Sequence, residues 1–131
     1  MRTLTISIMI LRLGVLLALI LGILFWIGIA ENFALTLVHM LIGFVVVISL
    51  WVIGLAQGFV KGGSFPLAVA TFVVGLLLAI VGLFQQKWLP EPNPMHWIIQ
   101  VIHLLLGLSA IGLGEMIVAS TKRRLKSTAA A

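Results

Sequence analysis

Four long apolar runs, each closed by a short polar stretch, set the pattern of this chain. They cover 13–30, 33–59, 65–84 and 95–120. Each is close to the ~20 residues that an α-helix needs to cross a bilayer, so the pattern predicts four membrane-spanning helices in a single transmembrane domain, 1–131. The breaks between runs carry start and stop signals. Glu31 and Asn32 end the first run, and VKGGSFP, with Lys61, follows the second. Ser64 is placed to cap the third helix, with Pro66 in its first turn, where a missing N–H does no harm. The longest connection, QQKWLPEPNPMHW, holds Pro90, Pro92 and Pro94, with Trp88 and Trp97 as interfacial anchors. Asn93 and Pro94 read as the cap and first turn of the fourth span. The tail TKRRLKSTAAA is expected to fray, and residues 1–11 either extend the first helix or lie in the interface. A signal peptide is the rival reading of the first run, but no small-residue cleavage site follows it and three more apolar runs do. Short connections imply antiparallel neighbours. The predicted fold is all-α, an integral-membrane up-down-up-down four-helix bundle.

Within that pattern one motif occurs twice. Residues 38–44 read VHMLIGF and residues 102–108 read IHLLLGL, placing His39 and His103 64 positions apart. Spans one and three share a weaker pattern, Gly22 with Ala18 and Gly75 with Ala79, so the bundle reads as two related helical hairpins in parallel orientation. An ionisable side chain inside an apolar run is costly and usually faces the bundle interior or a partner. Both histidines lie six or seven residues inside the start of their spans, roughly 10 Å along a helix, and so share a depth. Gly43 and Gly54 fall within about 60° of His39 in helical phase, and Gly107 and Gly114 within about 60° of His103. These glycine stripes would let a flat ligand approach the backbone, or let helices pack directly on one another.

Composition narrows the class. The chain is 63% hydrophobic and 8% charged, with a mean hydropathy of +1.32, which excludes an ordinary soluble domain and predicts a lipid bilayer as surroundings. Without cysteine there is no disulfide framework, thiolate iron–sulfur cluster or cysteine zinc site. The net charge of +5 reports topology rather than nucleic acid. Arg2, Arg12, Lys61, Lys122, Arg123, Arg124 and Lys126 fall on one side and Lys87 on the other, so both termini are expected in the cytoplasm, across a bacterial inner membrane. Glu31 and Glu91 then lie in the outer loops.

Two imidazoles at one depth suit the two axial positions of a haem iron, leaving it six-coordinate and fitted to electron transfer. The expected cofactor is one haem b per chain, with His39 and His103 as iron ligands and Gly43, Gly107, Gly54 and Gly114 along its faces. The free imidazole N–H groups are expected to donate to the carbonyls of Leu35 and Ile99. Zinc sites use three or four protein ligands, and His96, seven residues before His103, is about 10 Å away along the helix. His96 is therefore assigned to the outer haem edge or the interface, near a propionate. Gln100 is a candidate partner for a propionate or a quinone, and Lys87 a counter-ion for a propionate. Glu115 is expected to snorkel, relay protons or pair with Lys61, and Gln57 is read in the same way. Gly54 and Gly58 form a GxxxG, a hint of close helix contact or self-association.

The four-span layout with His39, Gly43, His103 and Gly107 resembles the membrane b-type cytochromes, a group that includes the cytochrome b561 family and the haem-bearing core of cytochrome b. The resemblance implies one-electron transfer near the outer face, to or from a quinol, a reactive oxygen species or a partner complex, with oxidoreductase activity towards a quinol or superoxide among the readings. A redox protein, a homo-oligomer or a larger membrane complex are the partners it implies. The chain departs from members that carry electrons across the membrane, which have a second histidine pair near the opposite face. Two other readings stand beside it: a haem-free structural subunit, whose histidines hydrogen-bond between helices, and a small transporter. A coupled transporter needs an acidic residue near midplane, whereas Glu115 lies near the inner end.

Overall fold

The computed structural model describes residues 2–29, 32–60 and 62–130, with side chains through residue 127. Glu31 and Lys61, and with Lys61 the expected pairing to Glu115, lie outside the described residues. Four helices follow one another: α1 Arg2–Trp26, α2 Phe33–Gly58, α3 Phe65–Trp88 and α4 His96–Ala130. All four are long and apolar enough to cross a membrane, and they pack as an all-α integral-membrane bundle. Helices are the natural outcome for such runs, because lipid offers no partner to an unbonded backbone N–H or C=O.

The ends of the helices follow local chemistry. The Asn32 side chain accepts the Leu35 N–H at 2.9 Å and so caps α2. Ser64 stands at the N-cap of α3 without a side-chain capping bond, with Pro66 in the first turn. Its backbone is gripped instead by Gln57, whose amide donates to the Ser64 carbonyl at 2.7 Å and accepts the Ser64 N–H at 3.0 Å. Gln57 is thus a buried clamp on the α2–α3 turn, not a residue reaching for the membrane surface. Gly62, at φ +79°, supplies the left-handed residue that this turn requires. Residues 2–11 continue α1, and the basic tail continues α4 rather than fraying. That tail is tied down: the Arg124 guanidinium donates to the Gly62 carbonyl across the turn.

The helices pack in cyclic order, with α2 and α4 also touching across the diagonal, while α1 and α3 do not meet among the described residues. The compact core lies at the end of the bundle that holds the chain termini and the α2–α3 turn, here called the terminal end. Leu4, Ile8 and Leu11 of α1, Val46, Leu50 and Ile53 of α2, and Ala110, Ile117 and Val118 of α4 fill it. Thr71, Gly75 and Leu78 are the buried residues of α3. Gly54 belongs to this packing, since a Cβ there would overlap the Thr71 hydroxyl, and Gly114 leaves room for Leu11 and Ile8. The Gly54 half of the GxxxG is therefore occupied within the chain. Glu115 pairs with Arg12 across the α1–α4 seam, through Nε to Oε1 at 2.5 Å and Nη2 to Oε2 at 2.8 Å. The opposite end, with the α1–α2 turn and the α3–α4 connection, is the loop end.

Candidate functional site

At the loop end the bundle is hollow. All four helices line one cavity of about 690 Å³, half open to its surroundings, within the ~300–1,000 Å³ usual for ligand sites. Its walls are apolar and backed by glycine: Ala18, Gly22 and Phe25 on α1, Gly43 and Phe44 on α2, Ala79 and Gly82 on α3, Leu104 and Gly107 on α4. Polar groups gather towards the mouth, among them Asn32, Gln85, Gln86, Glu91, His96 and Gln100.

His39 on α2 and His103 on α4 face one another across the cavity, their ring centroids 6.2 Å apart and their planes at 51°. Phe25 stands edge-on to His39 at 5.5 Å. Among the described residues, the buried side-chain N and O atoms without a hydrogen-bond partner are Nδ1 of His39 and Nδ1 of His103. Leaving a buried polar atom unsatisfied costs about 1–3 kcal/mol, and such atoms in a native structure call for an explanation. The expected bonds from these rings to Leu35 and Ile99 are not formed. Each ring turns instead towards the other helix of its own hairpin, with Cε1 beside Gly22 for His39 and beside Gly82 for His103.

The two hairpins are therefore alike at the site but not equally tight. Gly82 on α3 makes room for His103 on α4, whereas a Cβ on Gly22 of α1 would meet His39 of α2 in ordinary contact at 3.7 Å. Neither glycine belongs to the histidine stripes. The clue was available as small pairs on spans one and three: Ala18 and Gly22, Ala79 and Gly82 all line the cavity. Gly75, the residue matched to Gly22 from sequence, packs under Trp51 instead.

The other candidates separate clearly. Gly43 and Gly107 line the cavity, with nothing within 4 Å of the place a Cβ would take. Gly54 and Gly114 are not part of it, because their helical phase is right but neighbouring helices already fill the space in front of them. Gln100 lines the wall and His96 the mouth, whereas exposed Lys87 is not among the lining residues. The described lining contains no lysine or arginine, so the mouth meets a polar ligand edge with amides, His96 and Glu91. His96 is buried, its Nδ1 donating to the Leu89 carbonyl and its Nε2 lying 3.3 Å from Glu91 Oε1.

Comparison with family models, curated proteins and solved structures found no match. The site must be read from its own geometry. Among the described residues no three His, Cys, Asp or Glu side chains gather around one point, and the two imidazoles are the nitrogen donors that the cavity brings close together. With metal–nitrogen bonds of about 2 Å and a ring radius of roughly 1 Å, two imidazoles on opposite sides of one ion have centroids about 6 Å apart. The ring centroids here are 6.2 Å apart, with the planes tilted by 51° and the Cε1 edges towards Gly22 and Gly82.

Proposed function

We propose that this protein is a membrane b-type cytochrome, holding one haem b between His39 and His103 and transferring single electrons at the loop end. The reading rests on one observation above all: two facing imidazoles, each with an unpartnered buried Nδ1, stand on either side of a cavity lined by all four helices. Gln57 has its hydrogen bonds made, whereas Nδ1 of each histidine has none; a bond from the His39 ring to the Ala18 backbone would serve the structural-subunit reading equally well.

The residues present fit such a group. His39 and His103 would supply the two axial nitrogens, and Gly43 and Gly107 the open faces. Haem held by two histidines supplies a six-coordinate iron that takes up and gives back one electron. The protein's part is orientation and electrostatics. Gly82 and Phe25 set the ring positions, and the apolar walls exclude water. Among the described residues, Gln100 and His96 would be contacts for propionates at the mouth, whose lining contains no lysine or arginine.

The distribution of basic residues supports placing both termini in the cytoplasm, as in a bacterial inner membrane, with the site towards the outer face. A quinol, a reactive oxygen species or a redox protein, within a homo-oligomer or a larger complex, are partners of fitting chemistry. The lack of a histidine pair at the terminal end confines this chain's own electron transfer to one face. A reduced-minus-oxidised visible spectrum of the detergent-purified protein tests the reading. A low-spin b-type spectrum lost in both His39→Ala and His103→Ala is expected; a colourless wild type after expression with ample haem would overturn it.

A further inference from the structure

His96 opens α4 at the mouth of the cavity, 5% exposed, and lines it together with Glu91. Its two nitrogens meet two oxygens: Nδ1 the Leu89 carbonyl, and Nε2 the Glu91 carboxylate at 3.3 Å. A carbonyl oxygen only accepts, so Nδ1 carries a hydrogen. In the neutral ring Nε2 is then a bare acceptor facing a carboxylate, and the two repel. One further proton turns this contact into an attraction. It either sits on Nε2, giving an imidazolium beside a carboxylate, or on Glu91, giving an acid that donates to Nε2. The arrangement is held from both sides, since the Glu91 N–H donates to Gln86 Oε1 at 3.3 Å and the His96 N–H to the Asn93 carbonyl at 3.0 Å.

We propose that His96 and Glu91 form a proton-holding pair at the mouth of the cavity, whose hold on one shared proton tightens when an electron enters the cavity and loosens when it leaves. The proposal rests on the cytochrome reading of His39 and His103. A reduced redox protein would be the one-electron donor to haem held by His39 and His103, and its own oxidised form the product. The His96–Glu91 pair would then draw protons from water, up to about half a proton per electron for a tenfold change in affinity, and so partly meet the added negative charge. Glu91, half exposed, gives the proton its path to solvent.

No other described charge lining the cavity competes with this pair. Gln85 and Gln86 on α3, Asn32 before α2 and Trp26 on α1 line the same mouth without charge, and Lys87 is exposed outside the lining. His39 and His103 lie deeper, His103 about 10 Å along α4 from His96. One charge at that distance, in an effective dielectric of about 20, changes proton affinity roughly tenfold. For a one-electron couple a tenfold change in affinity equals about 59 mV.

The sign follows: the reduced state binds the proton more tightly, so the midpoint potential falls as pH rises through the titration of the pair. Spectroelectrochemical titration of the full-length, haem-loaded protein between pH 4.5 and pH 8 should show a total fall of about 59 mV. His96→Gln should flatten it, and Glu91→Gln should move it to lower pH. A pH-independent wild-type potential, or a fall unchanged in both variants, overturns the proposal. Side-chain ¹⁵N NMR of histidine-labelled protein without haem gives an independent arm. Nδ1 of His96 should stay protonated while Nε2 titrates, and Glu91→Gln should move that titration; an unmoved titration overturns the pair. A chain that binds no haem yet shows the moved titration overturns the coupling and the cytochrome reading while leaving the pair's geometry intact, which distinguishes the two failures.

Discussion

At the terminal end Leu11 of α1, Leu50 and Ile53 of α2 and Ile117 of α4 are fully buried against one another; at the loop end the same helices stand around a cavity of about 690 Å³. The two ends share their building materials, aliphatic side chains and glycines. What differs is what faces each glycine. Gly54 and Gly114 are filled by Thr71 and Leu11 from neighbouring helices, whereas Gly43 and Gly107 face open space. Polar side chains divide in the same way. Gln57 makes two bonds to Ser64, and the Thr71 hydroxyl donates to the Ala68 carbonyl at 2.7 Å, while His39 and His103 each keep an unpartnered Nδ1. One end is closely packed; the other keeps open space between its helices.

That contrast can be broken from either end. The largest loss of stability should follow truncation in the terminal core. Leu50→Ala or Leu11→Ala is expected to cost about 2–5 kcal/mol, read by thermal or denaturant unfolding in detergent, with the histidine site still able to take a ligand in the folded fraction. Next comes Gly54→Ala, whose Cβ must displace the buried Thr71 hydroxyl; overpacking of this kind costs about 1–3 kcal/mol. The mirror-image change, Gly43→Val or Gly107→Val, should leave the unfolding of the ligand-free bundle nearly unchanged while weakening ligand binding. Equal destabilisation by Gly54→Ala and Gly43→Val would erase the distinction between the two ends. The smallest effect belongs to the Arg12–Glu115 pair, since both side chains are well exposed; Glu115→Gln should leave the same unfolding curve almost in place.

Much of this was legible in the sequence. The four apolar runs specify the spans, because length and hydropathy alone decide which segments suit a bilayer. The doubled His–Gly motif located the site, since two costly residues at one depth have few places to go. Helical phase could not say which glycines would be filled. Gly54 and Gly114 share a face with the histidines, but whether Thr71 or Leu11 enters the space depends on a neighbouring helix. Gly82 escaped notice, and Gly22 was read only as part of the repeat, for the same reason: each lies beside a ring on another helix. The Arg12–Glu115 pair joins residues 103 positions apart, a distance at which sequence offers no contact signal. His96 could be placed near the site, but its grip on Leu89 and Glu91 depends on how the proline-rich connection folds back.

The account's central claim is that His39 and His103 hold one group between them, and haem per chain measures it most directly. Protein expressed with ample haem and purified in mild detergent should contain one haem per polypeptide. His39→Ala and His103→Ala should each contain none, and Glu91→Gln should keep the full complement. Wild-type protein that folds with its full helical content and carries no haem, or single histidine variants that retain it, would contradict the claim.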